Sequence, residues 1–134
     1  MVVGDNFQDR KKQVRTEKKR TQNTDVYSVR ASVCNALQRL APVYCRNNWH
    51  IHKAESGGGQ MLICVGGRGY YQEWGKDAVE MTPGSVINIP ANVKHWHGAA
   101  PDSWFSHLAV EVPGVETENE WCEPVSEEEY AALK

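Results

Sequence analysis

The chain has 134 residues, the length of one domain, and its 40% hydrophobic content is enough for one closed core. The formal net charge of −2 excludes a uniformly basic surface of the kind that attracts nucleic acid or an anionic membrane. The sequence contains neither an apolar run long enough to cross a membrane nor the apolar core of a signal peptide near its start, so we predict a soluble, cytoplasmic protein.

The two ends of the sequence differ in charge. Residues 1–25 form a polar, basic extension, whereas the stretch from Glu111 to Glu129 is acidic. Such segments are usually solvated or loosely docked, because they have little apolar surface to bury. We therefore place the folded domain at residues 26–124 and a short helix or tail at residues 125–134. Nucleic-acid binding by the extension is the less favoured interpretation, since it is too short for a helix-turn-helix domain.

The first candidate ligands lie in a short strand. His50 and His52 are separated by one residue, and such residues in a strand point to the same face, where two imidazoles can bind one ion. Trp49 and Ile51 then belong to the opposite, apolar face. Upstream, residues 25–40 mix β-forming with helix-forming residues, so the sequence leaves strand and helix open there.

A second strand follows a glycine-rich loop. Its alternation places Gln60, Leu62 and Cys64 on one face, so that the Gln60 amide can face the same interior as the two histidines. The loop before this strand contains three consecutive glycines and is predicted to be flexible. It carries Glu55, whose carboxylate is the alternative oxygen ligand for the same ion.

The rest of the domain is predicted to be a series of short strands separated by glycine and proline turns. These strands are residues 69–73, 78–81, 86–89, 94–99 and 104–112. Short strands at regular spacing, without a long amphipathic helix, indicate an all-β fold, either an antiparallel sandwich or a barrel. After the last strand, Ser126 is predicted to cap a short helix with an acidic first turn.

The remaining histidines lie in the last two of these strands. His95 and His97 repeat the same-face spacing of the first pair. By the same alternation, His107 shares a face with Phe105 and Ala109 on the final strand. The predicted strands therefore gather all the histidines of the chain, which a random scatter would rarely do.

The order of these residues resembles the cupin superfamily, in which two short motifs flank a metal ion in a small jelly-roll barrel. The residues that match are, in chain order, His50, His52, Gln60 and Gly67 for the first motif and Gly84, Pro90 and His95 for the second. The resemblance covers about residues 33–123. It is strongest to small one-domain cupins with the second motif HWHGA, of the type associated with carboxymuconolactone-decarboxylase-like proteins.

The resemblance implies one divalent metal ion, which could be Mn, Fe, Co, Ni or Zn. The implied ligands are His50, His52, His95 and Gln60, with Gln60 in the position more often held by glutamate. Two departures from the family pattern are the seven residues between His52 and Gln60, a longer gap than usual, and Asn92 in place of a glycine. Gln60 is preferred to Glu55 because it keeps the family's distance to the glycine that closes the motif.

Three imidazoles and one amide oxygen leave one or two positions of an octahedral ion open for water, substrate or dioxygen. We therefore expect a metal-dependent enzyme that acts on a small oxygen-rich metabolite, such as a sugar acid, keto acid or phenolic acid, by isomerisation, decarboxylation or ring opening. His97 or His107 is the candidate catalytic acid or base, and for each the alternative is a hydrogen-bonded interior histidine without a role in the chemistry. The alternatives are a non-catalytic module that binds or senses a small ligand, and an iron-dependent dioxygenase.

The barrel also predicts an association between copies of the chain. Small barrels leave edge strands exposed, and the N-terminal segment with the strand after it could pair with a neighbour's sheet. We therefore predict a homodimer, with no nucleic-acid or membrane partner.

Overall fold

The computed structural model describes residues 28–35 and 46–133, and within them the side chains of 28–33 and 46–133. The strands are β1 (Ser28–Asn35), β2 (His50–Lys53), β3 (Ser56–Gly57), β4 (Gln60–Gly67), β5 (Gly69–Glu73), β6 (Val79–Met81), β7 (Val86–Ile89), β8 (Lys94–Ala99), β9 (Trp104–Glu111), β10 (Gly114–Val115) and β11 (Glu118–Trp121), followed by helix α1 (Glu127–Ala131). The predicted extension at residues 1–25 lies outside these ranges. Within them, no helix is long and apolar enough to cross a membrane.

Two antiparallel sheets form the barrel. One has the strand order β1-β9-β4-β7, and the other has the order β11-β2-β8-β5-β6. Leu62 and Phe105 from the first sheet join Tyr71 and Met81 from the second in one buried cluster, so the inner faces of both sheets share a core. This is the all-β jelly-roll barrel that the sequence predicts, and the alternating pattern of each strand is what gives it an interior.

Strand β4 shows how the alternation places polar groups inside. Gln60, Leu62 and Cys64 are buried, while Val65 is exposed, which confirms the predicted face. β4 lies between β7 and β9, and its pairing with β9 sets Gln60 opposite Glu111. A glutamine and a glutamate are thereby brought together at one end of the barrel.

The acidic C-terminal stretch, expected to be solvated or loosely docked, packs against the barrel. β11 pairs with β2 along the edge of the five-stranded sheet. After it, Val125 and Tyr130 are buried with Trp49 and Trp96 in a second cluster on the outer face of that sheet. Burial of an aromatic ring is worth a few kcal/mol, roughly enough to dock a short acidic segment.

Helix α1 begins where the sequence predicts. The Ser126 hydroxyl accepts a hydrogen bond from the backbone N–H of Glu129 at 3.1 Å, and the Glu129 carboxylate accepts from the Ser126 N–H at 3.2 Å. This capping box satisfies backbone donors that a helix start leaves unpaired. The Tyr130 hydroxyl then donates to the Ala99 carbonyl oxygen at 2.8 Å, which fixes the helix on the sheet.

The glycine-rich loop predicted to be flexible contains a strand. β3 pairs with β10, and the N–H of Gly58 donates to the Pro113 carbonyl oxygen at 2.9 Å. Gly57, Gly58 and Gly59 have φ values of 60°, 74° and 98°, in the left-handed region that costs other residues energy. Three glycines in a row therefore serve a defined chain reversal here rather than disorder.

Candidate metal centre

Three histidines from two neighbouring strands converge inside the barrel. His50 and His52 lie on β2 and His95 lies on β8, and the register between these strands pairs His50 with His95. One ring nitrogen from each residue lies within 4.8 Å of the other two. All three side chains are buried, so the predicted shared face is confirmed and the three residues could hold a metal ion.

The tautomers of His50 and His95 are set in the same way, by a hydrogen bond to the backbone carbonyl oxygen two residues earlier. Nδ1 of His50 lies 2.9 Å from the carbonyl oxygen of Asn48, and Nδ1 of His95 lies 2.9 Å from that of Val93. A carbonyl oxygen can only accept, so Nδ1 carries the proton in both rings. The lone pair of each neutral ring is therefore on Nε2, the atom left for a ligand role.

His52 reaches the same state through a carboxylate. Its Nδ1 lies 3.1 Å from Oε2 of Glu111, which also can only accept when ionised. Nε2 of His52, like Nε2 of His95, is buried without a hydrogen-bond partner. A buried unpaired acceptor costs about 1–3 kcal/mol, and an ion bound at these nitrogens would remove that cost.

Burial keeps two of the rings in the form that binds metals. Loss of solvent, together with a smaller effect of the neighbouring His95 ring, lowers the pKa of His50 to about 3. Loss of solvent likewise lowers the pKa of His95 to about 4. Both rings are neutral at pH 7, so neither has to lose a proton before it binds an ion.

The two candidate oxygen ligands differ in burial. Gln60 is buried, and its Oε1 has no hydrogen-bond partner. Its Nε2 donates to Oε1 of Glu111 at 3.4 Å, on the same carboxylate that binds His52. Glu55 is exposed on the chain between β2 and β3. Gln60 thus has a buried oxygen free to bind a ligand, and its choice over Glu55 stays a prediction.

His97 lies beside the three-histidine group with one nitrogen already engaged. Its ring centroid is 5.7 Å from that of His50. Oδ1 of Asn47 accepts from the backbone N–H of His97 at 2.9 Å, which leaves Nδ2 of Asn47 to donate to Nε2 of His97, also at 2.9 Å. The proton of the neutral His97 ring is therefore on Nδ1, so only this atom can donate to a ligand.

His107 lies beside His97 in the interior. The two ring centroids are 4.8 Å apart, and His107 stacks on Phe105 with centroids 4.6 Å apart. Nδ1 of His107 is buried without a partner. Loss of solvent lowers the pKa of His107 to about 4 and that of His97 well below its usual value. Both rings are thus neutral at pH 7.

Trp121 is a site residue that the sequence interpretation missed. The pairing of β11 with β2 sets Trp121 opposite His50, and the two rings lie 4.9 Å apart at 31°. The Trp121 side chain is 58% exposed, so much of its ring surface remains open beside the histidines. The available sequence signal was a single aromatic residue in an otherwise polar stretch, because an aromatic side chain is stabilised there by packing against another part of the protein.

Asn92 explains one departure from the family pattern. Its φ of 68° lies in the left-handed region that glycine favours and asparagine tolerates. Its N–H donates to the His52 carbonyl oxygen at 2.8 Å, and its side chain hydrogen-bonds both the N–H and the carbonyl oxygen of Ala54. Asparagine therefore keeps the backbone conformation and also anchors the end of the histidine strand.

Comparison with known structures gives the same architecture. A crystal structure of a cupin-like protein from Thermotoga maritima is 37% identical, covering 81% of this chain and 73% of that chain, with a TM-score of 0.65. A protein with a double-stranded β-helix domain from Klebsiella pneumoniae is 15% identical, covering 81% of this chain and 93% of that chain, with a TM-score of 0.55, which is a likeness of fold alone. No protein-family model matches the chain.

One curated enzyme is similar in sequence. An (R)-mandelonitrile lyase from Granulicella tundricola is 38% identical over 85 residues, which are 63% of this chain. The chain spans 62% of the length of that enzyme. The similarity to this lyase therefore covers only part of each protein.

Proposed function

The chain belongs to the cupin superfamily, and from this premise we propose that it is a metal-dependent enzyme that acts on a small molecule with a hydroxyl, carbonyl or carboxylate oxygen. The observation that carries the proposal is the convergence of three buried ring nitrogens from His50, His52 and His95. The unpaired Nε2 of His52 and His95 and the unpaired Oε1 of Gln60 fit a divalent ion that takes nitrogen and oxygen ligands.

When bound, the ion would act as a Lewis acid on a carbonyl, hydroxyl or carboxylate oxygen of the substrate. The protein supplies the remaining functions. Nδ1 of His97 carries a proton and is assigned the role of hydrogen-bond donor, because Asn47 occupies the other nitrogen. Nδ1 of His107 has no partner, so His107 is assigned the role of the base.

Cleavage of a carbon–carbon bond beside a hydroxyl or carbonyl group is the reaction that we favour. The similarity to an (R)-mandelonitrile lyase supports it, since mandelonitrile is a cyanohydrin with an aromatic ring. Such a cleavage converts R–CH(OH)–CN to an aldehyde and HCN, as the C–CN bond breaks and the hydroxyl proton ends on cyanide. The exposed ring of Trp121 beside His50 supports a planar, aromatic R group.

The proposal is tested by benzaldehyde release from mandelonitrile. Metal-free protein is loaded in turn with Mn, Fe, Co, Ni and Zn, and the rate above the uncatalysed background is measured. We expect at least one loaded form to be active, and His95→Ala to lower its kcat/KM by about 100-fold or more. Trp121→Ala should raise KM, whereas Trp74→Ala, which changes an exposed tryptophan packed against Trp49, should not.

The same assay identifies the alternative. Bound metal without turnover of mandelonitrile or of α-keto and α-hydroxy acids would contradict the enzyme proposal and favour a ligand-binding module. Dioxygen consumption with the iron form alone would favour a dioxygenase.

A further inference from the structure

Glu111 touches two of the four proposed metal ligands at once. It ends β9 and lies opposite Gln60 in the register between β9 and β4. One carboxylate oxygen accepts from Nδ1 of His52 at 3.1 Å, and the other accepts from Nε2 of Gln60 at 3.4 Å. We infer that Glu111 is a positioning residue of the metal centre, one that holds a nitrogen ligand and an oxygen ligand in their binding orientations. The inference rests on the proposed function.

The effect on His52 follows from the tautomer. His50 and His95 are held by backbone carbonyls two residues earlier in the chain, whereas His52 depends on a side chain. The carboxylate of Glu111 keeps the proton on Nδ1, so the lone pair stays on Nε2. An ionised partner also makes the imidazole a better electron donor, and loss of such a partner typically costs about 10–100-fold in metal affinity.

The effect on Gln60 follows from its amide. An amide can present either its oxygen or its NH₂ group to a neighbour, but a carboxylate accepts only from NH₂. Glu111 therefore fixes Nε2 of Gln60 on its own side and leaves Oε1, which is buried and unpaired, for the ion. Gln60 on β4 is a neutral amide at the position where the family more often has glutamate. The negative charge lies on the neighbouring strand β9, at Glu111.

Replacement of one carboxylate oxygen by an NH₂ group gives a sharp test. Glu111→Gln keeps the size of the side chain but places a donor where one of the two acceptor oxygens lies, so either His52 or Gln60 then faces a donor instead of an acceptor. Glu120→Gln is the matched control, since Glu120 lies on β11 and forms an ion pair with Lys53. The measurement is the dissociation constant for Co²⁺ or Ni²⁺ alone, obtained by competition with a chelator at pH 7, together with the visible absorption spectrum of the Co²⁺ form.

We expect Glu111→Gln to bind Co²⁺ about 10–100-fold more weakly than the wild type, with an altered spectrum, while Glu120→Gln matches the wild type. Urea unfolding of the metal-free forms separates ligand orientation from a general loss of fold, and Glu111→Gln should unfold within a few tenths of a molar of the wild type. A wild-type affinity and spectrum in Glu111→Gln would overturn the inference. Absence of Co²⁺ and Ni²⁺ binding by the wild type would instead overturn the proposed function on which it rests.

Discussion

Acid should destabilise the metal-free protein, and His107 should account for a measurable part of the loss. Its ring is buried, and loss of solvent lowers its pKa to about 4, whereas in the unfolded chain it titrates near 6.5. Between these values the unfolded chain binds more protons than the folded protein. The stabilising contribution of the neutral ring is therefore complete above pH 6.5 and is lost as the pH falls towards 4. From pH 7 to pH 5, the free energy of unfolding should fall by about 2 kcal/mol from this residue.

Urea unfolding of metal-free wild type and His107→Leu at pH 7 and pH 5 measures this contribution. The other buried histidines titrate in both proteins, so their effect largely cancels when the two pH dependences are subtracted. Phe105→Leu is the control, because it removes the ring that stacks on His107 and leaves the number of titrating groups unchanged. Its loss of stability should be similar at both pH values. An equal pH dependence in wild type and His107→Leu would refute the reasoning.

Three further predictions concern the fold and the assembly. Gly67 and Gly84 have φ values of 70° and 93°, and a backbone in this region costs alanine about 1 kcal/mol. At Gly67 an added Cβ would also collide with the backbone of Trp104, whereas at Gly84 an added Cβ has no heavy atom within 4 Å. Gly67→Ala should therefore lower the urea midpoint more than Gly84→Ala, and equal losses would contradict this. Tyr130→Phe should lower the free energy of unfolding by about 1 kcal/mol, since it removes a buried hydrogen bond, and an unchanged thermal midpoint would show that helix α1 is not held there. Val33 on edge strand β1 is 75% exposed, so Val33→Glu should shift the predicted homodimer towards monomer in light scattering, whereas a monomeric wild type at micromolar concentration would contradict the dimer.

The alternation of side chains was enough to predict the strands that build the site. His50 and His52 share the buried face of β2, and Gln60 and Leu62 share the buried face of β4. Every second side chain of a strand is buried wherever one face of that strand packs against the core. The capping signal at Ser126 was equally local, since it depends on residues three apart. Features that depend on spacing within one element could therefore be predicted from the sequence.

The features that were missed depend on pairing between distant segments. Residues 118–121 have no apolar alternation, and they form β11 because the free edge of β2 offers backbone partners and Lys53 offers an ion pair. Glu111 was grouped with an acidic tail because composition averages over neighbours, whereas its role is set by the register of β9 against β4. Trp121 was hidden in the same stretch for the same reason.

The metal content of the purified protein tests the central claim most directly. Elemental analysis after exhaustive dialysis is made on the wild type and on His95→Ala, Gln60→Ala and Glu55→Ala. We predict about one divalent ion per chain in the wild type and in Glu55→Ala, and a depleted site in His95→Ala and Gln60→Ala, because the three buried histidines and the unpaired amide oxygen are the proposed ligands. A wild type that binds no divalent ion even when one is added, or a Glu55→Ala protein that is empty while Gln60→Ala is full, would contradict the account.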